Sequence, residues 1–74
     1  MRISYDAEVD ALYIELRTGT PHDSIDLEEG VSADLDIDGH VIGLEVLDAR
    51  RRLGGEALSS IAVEQLPLTL RPTA

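Results

Sequence analysis

Residues 31–46 of the chain have the sequence VSADLDIDGHVIGLEV, and two incompatible structures fit this stretch. Three acids at alternate positions, a glycine and a later glutamate have the spacing of a calcium-binding loop between two helices. These residues are Asp34, Asp36, Asp38, Gly39 and Glu45. The same stretch also fits a β-hairpin that turns at the Asp-Gly pair, with apolar residues alternating along both arms.

The segments on either side favour the hairpin. A calcium loop of this kind needs a helix before it and a helix after it. Residues 26–33 contain Gly30 at their centre and carry no apolar residues at helical spacing. Residues 41–47 are rich in β-branched side chains and are interrupted by Gly43, which is poor helix-forming sequence. Because Asp-Gly between alternating apolar runs is the strongest short-range hairpin signal, we expect two strands here.

A two-residue turn at Asp38-Gly39 predicts the register of the hairpin, with positive φ at both turn residues. One face then carries the pairs Ile37–His40, Leu35–Ile42, Ala33–Leu44 and Val31–Val46. The opposite face receives Ser32, Asp34, Asp36, Val41, Gly43 and Glu45. A slip of one residue would mix the apolar and polar sets, so the pattern specifies its own register.

The polar face of this hairpin gives the one candidate cation site. Asp34, Asp36 and Glu45 would share it, and three carboxylates on a sheet can hold a divalent cation weakly. The alternative is a solvated acidic face. The sequence favours the solvated face, so we expect neither a metal nor a cofactor.

The rest of the chain predicts more strands and then a helical segment. Residues 2–5, 11–17 and 24–28 alternate between apolar and polar side chains, with Gly and Pro between them. We therefore expect an α+β domain built on an antiparallel β-meander of four or five strands, covering about residues 2–47 and joined in sequence order. A chain of 74 residues makes one domain, residues 1–74.

Asp48 is a good N-cap for a helical segment over about residues 48–66, packed on the apolar face of the sheet. Leu58, Ile61, Ala62 and Leu66 have helical spacing, and Pro67 ends the pattern. Residues 62–66 would also fit a strand. Residues 67–74 are expected to form an extended tail.

Composition limits the partners. The net charge is −9, and thirteen of the fifteen acidic residues lie in residues 1–48 against only Arg2 and Arg17. Such a field repels nucleic acid and suits a basic protein partner, although solubility alone would also explain it. The core lacks Cys, Trp and Phe and must be thin, so a homo-oligomer is expected. No apolar run resembles a signal or a membrane span, which predicts a cytoplasmic protein that binds no membrane.

Several stretches together resemble a known family. They are Tyr5-Asp6, the run DALYI at residues 10–14, Asp34, residues 36–39, and the run VIGLEVLDA at residues 41–49. The chain resembles, over about residues 2–53, short bacterial and archaeal proteins catalogued as domain of unknown function 2283. The resemblance implies a small sheet-plus-helix fold, no established activity and no catalytic residues. Members are similar to proteins encoded beside small toxin-like ribonuclease domains, which suggests an antitoxin-like role.

The remaining polar clusters are weak candidates for catalysis. Asp6, Glu8 and Asp10 form an acidic first loop, where turn hydrogen bonds are a better explanation than acid–base chemistry. Residues 22–24 read His-Asp-Ser, but neighbours on an extended chain point to opposite sides and cannot form a triad. Residues 50–52 are three arginines that would spread around a helix and pair with the chain's own acids. We therefore predict a non-enzymatic interaction module, with a cation-binding module as the alternative.

Overall fold

The computed structural model of the chain describes residues 1–64, which form a five-stranded antiparallel sheet and one short helix. The strands are β1 (Arg2–Asp6), β2 (Ala11–Glu15), β3 (Asp23–Glu28), β4 (Val31–Leu35) and β5 (Val41–Leu47), and the helix is α1 (Ala49–Leu53). The α+β class, the meander and the helix after the last strand are confirmed. The predicted tail over residues 67–74 lies outside the described residues.

The strands do not all pair in the order of the chain. Their order across the sheet is β1-β2-β5-β4-β3. A hairpin of β1 and β2 and a three-stranded meander of β3, β4 and β5 therefore meet where β2 pairs with β5. The expectation of local connections throughout was wrong for the link between β2 and β3, which carries the chain from one side of the sheet to its far edge. That link contains Gly19 and Pro21, which favour an irregular crossing over a tight hairpin turn.

One face of the sheet is apolar because the register aligns the alternating residues of all five strands. Ile3 and Tyr5 of β1 lie opposite Ile14 and Leu12 of β2, which lie opposite Leu44 and Val46 of β5. Ala33 of β4 continues this face to Ile25 of β3. Four apolar residues of the described chain are buried: Ala33 of β4, Ile42 and Val46 of β5, and Ala49 at the start of α1.

The hairpin of β4 and β5 is confirmed, but its turn differs from the prediction. The amide of Gly39 donates to the carbonyl of Asp36 at 3.0 Å, so the turn starts at Asp36. Three residues, 37–39, form the loop, and of these only Gly39 has positive φ, at 84°. This geometry is a type I turn followed by a left-handed glycine, and Asp at the first position and Gly at the fourth both favour it.

A β-bulge corrects the register that the three-residue loop would otherwise shift. Leu35 lies opposite Val41 rather than Ile42, while Ala33–Leu44 and Val31–Val46 pair as predicted. The predicted pairs Leu35–Ile42 and Ile37–His40 were wrong. An odd loop displaces one arm by one residue, and the bulge absorbs that residue so that the apolar set stays on one face.

The helical segment is shorter than predicted. α1 ends at Leu53, and residues 55–59 form turns in which Ala57 donates to the Gly54 carbonyl and Ser59 to the Glu56 carbonyl. No helix or strand is assigned over residues 56–64, and residues 65 and 66 lie outside the described residues. Adjacent glycines before this segment and the Ser59 hydroxyl, which bonds the Glu56 carbonyl at 2.7 Å, both disfavour a helix.

Candidate functional site

The face of the sheet opposite the apolar core carries a carboxylate from each of four strands. The register places Glu15 of β2, Glu45 of β5, Asp34 of β4 and Asp26 of β3 on this side. Arg2 is the only basic residue in the five strands, and its guanidinium lies 3.5 Å from the Glu15 carboxylate at one margin. We call the surface formed by Glu15, Asp26, Asp34 and Glu45 the acidic face.

Tyr13 lies at the centre of the acidic face and links three strands. Its side chain crosses Gly43 of β5, and its hydroxyl donates to Asp34 Oδ2 on β4 at 2.9 Å. Burial, and then the hydrogen bond to the Asp34 carboxylate, raise the pKa of the Tyr13 hydroxyl. Tyr13 therefore stays a neutral donor at neutral pH and holds Asp34 as an acceptor.

The structure does not bring the predicted cation ligands together. Asp34 accepts the Tyr13 hydroxyl, Glu45 lies opposite Ser32, and Asp36 belongs to the turn beyond the end of β4. Within residues 1–64, no three Asp, Glu or His side chains are grouped closely enough to hold a metal ion. The candidate set is therefore divided between the acidic face and the hairpin turn.

Asp36 organises the hairpin turn. Its Oδ1 accepts the amides of Asp38 at 3.0 Å and His40 at 2.9 Å. Its Oδ2 lies 3.4 Å from the Arg17 guanidinium. The hydrogen bond from the His40 amide is the largest cause that holds the pKa of the Asp36 carboxyl below its ordinary value. Burial opposes this effect, and the hydrogen bond from the Asp38 amide adds to it. His40 is exposed beside this turn.

Asp10 connects the first loop to the helix. Its Oδ1 accepts the Tyr5 hydroxyl at 2.6 Å and the Arg50 amide at 3.1 Å, while its carbonyl accepts the Ala49 amide at 3.0 Å. The hydrogen bond from Tyr5 is the largest cause that holds the pKa of Asp10 below its ordinary value, and the same bond raises the pKa of Tyr5. We call these contacts of Tyr5, Asp10 and Arg50 the helix clasp.

The helix clasp corrects the predicted N-cap. Asp48 occupies the N-cap position in a left-handed conformation and its side chain makes no capping hydrogen bond. The carboxylate that caps α1 instead comes from Asp10, forty positions earlier in the chain. Sequence reasoning missed this role because the contact depends on the pairing of β2 with β5, which brings the first loop to the start of the helix.

The other acids of the first loop make turn contacts. Asp6 Oδ1 accepts the Glu8 amide at 3.0 Å, as the turn interpretation predicted. Asp23 and Ser24 of the His-Asp-Ser run occupy successive positions of β3, where the Asp23 carboxylate accepts the amide of Ser24 at 2.8 Å. The structure gives neither cluster a nucleophile bonded to a base.

The three arginines of α1 point to separate partners. Arg50 Nε lies 3.6 Å from Asp10, and the Arg51 guanidinium lies 3.3 Å from Asp48. The Arg52 guanidinium packs over Gly30, where a Cβ would overlap it. The prediction that they spread around the helix and pair with the chain's own acids is confirmed for Arg50 and Arg51.

An apolar cavity of about 300 Å³ lies between the β1-β2 hairpin and the segment after α1. Its walls are Ile3, Ser4, Tyr5, Leu12, Ile14, Leu53, Ala57, Leu58 and Ile61. The cavity lies on the apolar side of the sheet and is separated by the sheet from the acidic face.

The one helix within residues 1–64, α1, lacks the length and apolar character needed to cross a bilayer.

Residues 2–50 match the family described as Protein of unknown function (DUF2283). The chain belongs to this family. The match includes all five strands and the first two residues of α1, and so it covers both the acidic face and the helix clasp. Comparisons with curated proteins and with solved structures found no match.

Proposed function

We propose that this chain is a non-enzymatic interaction module whose acidic face binds a basic protein. The observation that carries the proposal is the placement of Glu15, Asp26, Asp34 and Glu45 on one face of one sheet, each from a different strand. A rigid surface with one sign of charge steers an oppositely charged partner and fixes its orientation.

Two further features support binding over catalysis. The tyrosine at the centre of the acidic face has its hydroxyl committed to Asp34, which leaves a fixed ring and carboxylate as a recognition surface. Asp10 and Asp36, the carboxylates with depressed pKa values, accept backbone amides and so serve the fold. A general acid near neutral pH would require the opposite direction of shift.

The narrower form of the proposal is an antitoxin-like role, in which the partner is a small basic toxin-like protein. The resemblance to the family suggested this role, and the net charge of −9 would suit the basic surface with which such a toxin binds nucleic acid. The bound chain would cover the surface of the toxin that otherwise binds the phosphates of nucleic acid. We also propose that the chain is cytoplasmic, as its sequence predicts.

The test uses the protein encoded next to this chain, purified with it and measured by surface plasmon resonance. Neutralising the acidic face with Glu15→Gln and Glu45→Gln is expected to lower the association rate constant about tenfold, because charges at such a surface act mainly on encounter. The matched control is Glu56→Gln with Glu64→Gln, which removes the same charge from exposed positions after the helix. We expect the control to stay within about twofold of the unmodified chain.

Two results would contradict the proposal. One is that the neighbouring protein forms no complex with the unmodified chain. The other is that both double variants weaken association equally, because net charge alone would then explain binding. For the narrower form, a stoichiometric amount of the chain should abolish the neighbour's ribonuclease activity, and undiminished activity in the complex would reject it.

A further inference from the structure

The sheet has two edge strands, and they differ in charge and regularity. β3 carries Asp23, Asp26 and Glu28, and its register is broken by an irregularity between Asp26 and Glu28. Like charges and bulges are devices that prevent an edge from pairing with another chain. β1 has the sequence RISYD, pairs with β2 without a register shift, and carries one positive and one negative charge. Only β1 is therefore free of these protections among the edges of the described sheet.

The sequence of β1 is complementary to itself when it runs antiparallel. A two-fold axis through Ser4 places Arg2 opposite Asp6 of the second copy and Ile3 opposite Tyr5 of the second copy. We propose that two copies of this chain pair through their β1 strands in this register, which joins two five-stranded sheets into one of ten strands. A two-fold axis through Asp26 of β3 would instead oppose Asp26 to Asp26 of the second copy, which is unfavourable.

The apolar side chains of β1 are accessible to a second copy, and one of them is already held in place. Ile3 and Tyr5 are both 38% exposed at the edge of the apolar face. The hydrogen bond from Tyr5 to Asp10 fixes the tyrosine ring before any partner arrives. An aromatic residue directly opposite a β-branched residue is one of the favourable cross-strand pairs, and the two-fold axis generates this pair twice.

On the polar side of β1, Arg2 can exchange its ion-pair partner with little loss of stability. The Arg2 side chain is 76% exposed and lies 3.5 Å from Glu15, an ion pair of the kind that contributes little to stability. Asp6 already accepts the Glu8 amide, but a carboxylate has acceptor sites for a guanidinium as well. Arg2 can therefore move to Asp6 of the second copy while the first loop keeps its turn.

The test measures self-association of the full chain by sedimentation equilibrium at about 0.15 M salt, where charges more than about 8 Å apart are largely screened. Arg2→Asp and Asp6→Arg each replace two attractive cross-strand pairs by two repulsive ones, and each should weaken the dimer at least about tenfold. An equimolar mixture of the two variants should recover the dimer, because the copy with two arginines on β1 then opposes the copy with two aspartates. The variant that carries both changes should also self-associate like the unmodified chain.

A crosslinking experiment tests the axis without altering charge. The chain contains no cysteine, so Ser4→Cys places a single thiol on the proposed two-fold axis. Mild oxidation should convert this variant to a covalent dimer. Ser24→Cys, which places a thiol on the opposite edge strand, should form no covalent dimer under the same conditions.

Each outcome decides the proposal. An unmodified chain that is monomeric at every concentration overturns it. Single charge variants that dimerise as strongly as the unmodified chain would show that copies meet through another surface, such as the apolar face. A mixture that fails to associate, or equal crosslinking of Ser4→Cys and Ser24→Cys, would reject the register. The proposed contact does not involve the basic partner, so its failure would leave the proposed function standing.

Discussion

At the scale of single residues, the side chain of Tyr13 determines which amino acid can occupy position 43. The tyrosine crosses β5 to reach Asp34, and Gly43 lies directly beneath it on the strand between them. A side chain at position 43 would meet the ring and the hydroxyl, so the glycine is required by a close approach of another residue. The run from Gly39 to Gly43 thus contains one glycine for a turn, Gly39, and one for a close contact, Gly43.

Gly43→Ala should destabilise the chain by about 1–3 kcal/mol, the usual result of placing an extra methyl group in a packed site. Urea unfolding followed by circular dichroism would measure this. Gly55→Ala is the matched control, because a Cβ there meets nothing within 4 Å, and it should be neutral or stabilising by about 0.4–1 kcal/mol. Adding Tyr13→Phe to Gly43→Ala should recover part of the loss, and equal stability of Gly43→Ala and the unmodified chain would reject the contact.

Asp36 gives a prediction for the pH dependence of stability. Its folded-state pKa is lowered, mainly by the amides of His40 and Asp38, so its contribution is present above the unfolded value of about 3.9. The contribution is lost as the pH falls through the folded pKa. The free energy of unfolding should therefore decrease on acidification below about pH 4, and Asp36→Asn should reduce this decrease.

The asparagine keeps an oxygen that can accept the turn amides, so Asp36→Asn should preserve the hairpin while removing the titration. Asp26→Asn, at an exposed position of β3, removes the same charge without touching the turn and serves as the control. Urea titrations at several pH values between about 2.5 and 7 would compare the variants. If the free energy of unfolding falls equally on acidification in Asp36→Asn and in the unmodified chain, the assigned role of this carboxylate is contradicted.

At the scale of the elements, local patterns predicted the strands and non-local contacts decided the rest. Alternation with period two, ended by Gly and Pro, located all five strands to within about two residues, because that signal resides in each segment itself. The type I turn was missed because Asp-Gly alone does not reveal that Asp36 competes for the turn amides. The pairing of β2 with β5, the capping role of Asp10 and the Tyr13–Asp34 bond follow from long-range topology, which no local pattern specifies.

The helix clasp is the element-scale contact that is easiest to test. Asp10 has positive φ, at 55°, and its carboxylate accepts the Arg50 amide and the Tyr5 hydroxyl. Asp10→Ala removes both acceptors and strains the backbone, so amide hydrogen exchange over residues 49–53 should accelerate at least about fivefold, as expected for a lost helix cap. Asp10→Asn tolerates the left-handed conformation and retains an acceptor, and it should exchange close to the unmodified rate.

Tyr5→Phe separates the two parts of the clasp, since it removes only the hydroxyl. The raised pKa of Tyr5 means that its contribution is present below its unfolded pKa of about 10 and is lost as the pH rises through the folded value. Exchange over residues 49–53 should change less in Tyr5→Phe than in Asp10→Ala. Equal protection of these amides in Asp10→Ala and in the unmodified chain would show that the cap does not hold the helix.

At the scale of the whole molecule, repulsion among acids opposes a thin core. The net charge is −9, and the buried apolar residues among positions 1–64 are two alanines, one valine and one isoleucine. In the four ion pairs within the described residues the arginine side chains are at least half exposed, and such surface pairs contribute about 0–1 kcal/mol each. Screening therefore has two opposing effects: it weakens these few attractions and it relieves the repulsion among many carboxylates.

We expect relief of repulsion to dominate. Raising sodium chloride from about 10 mM to about 150 mM shortens the screening length from about 30 Å to about 8 Å, so repulsion between acids farther apart than this is largely screened. A gain of about 1 kcal/mol would raise Tm by about 4–8 °C in a domain of this size. The scans should use one protein concentration, because self-association also shifts Tm. The variant with Glu56→Gln and Glu64→Gln carries less negative charge and should show a smaller rise, whereas a Tm that falls with salt would mean that the ion pairs outweigh the repulsion.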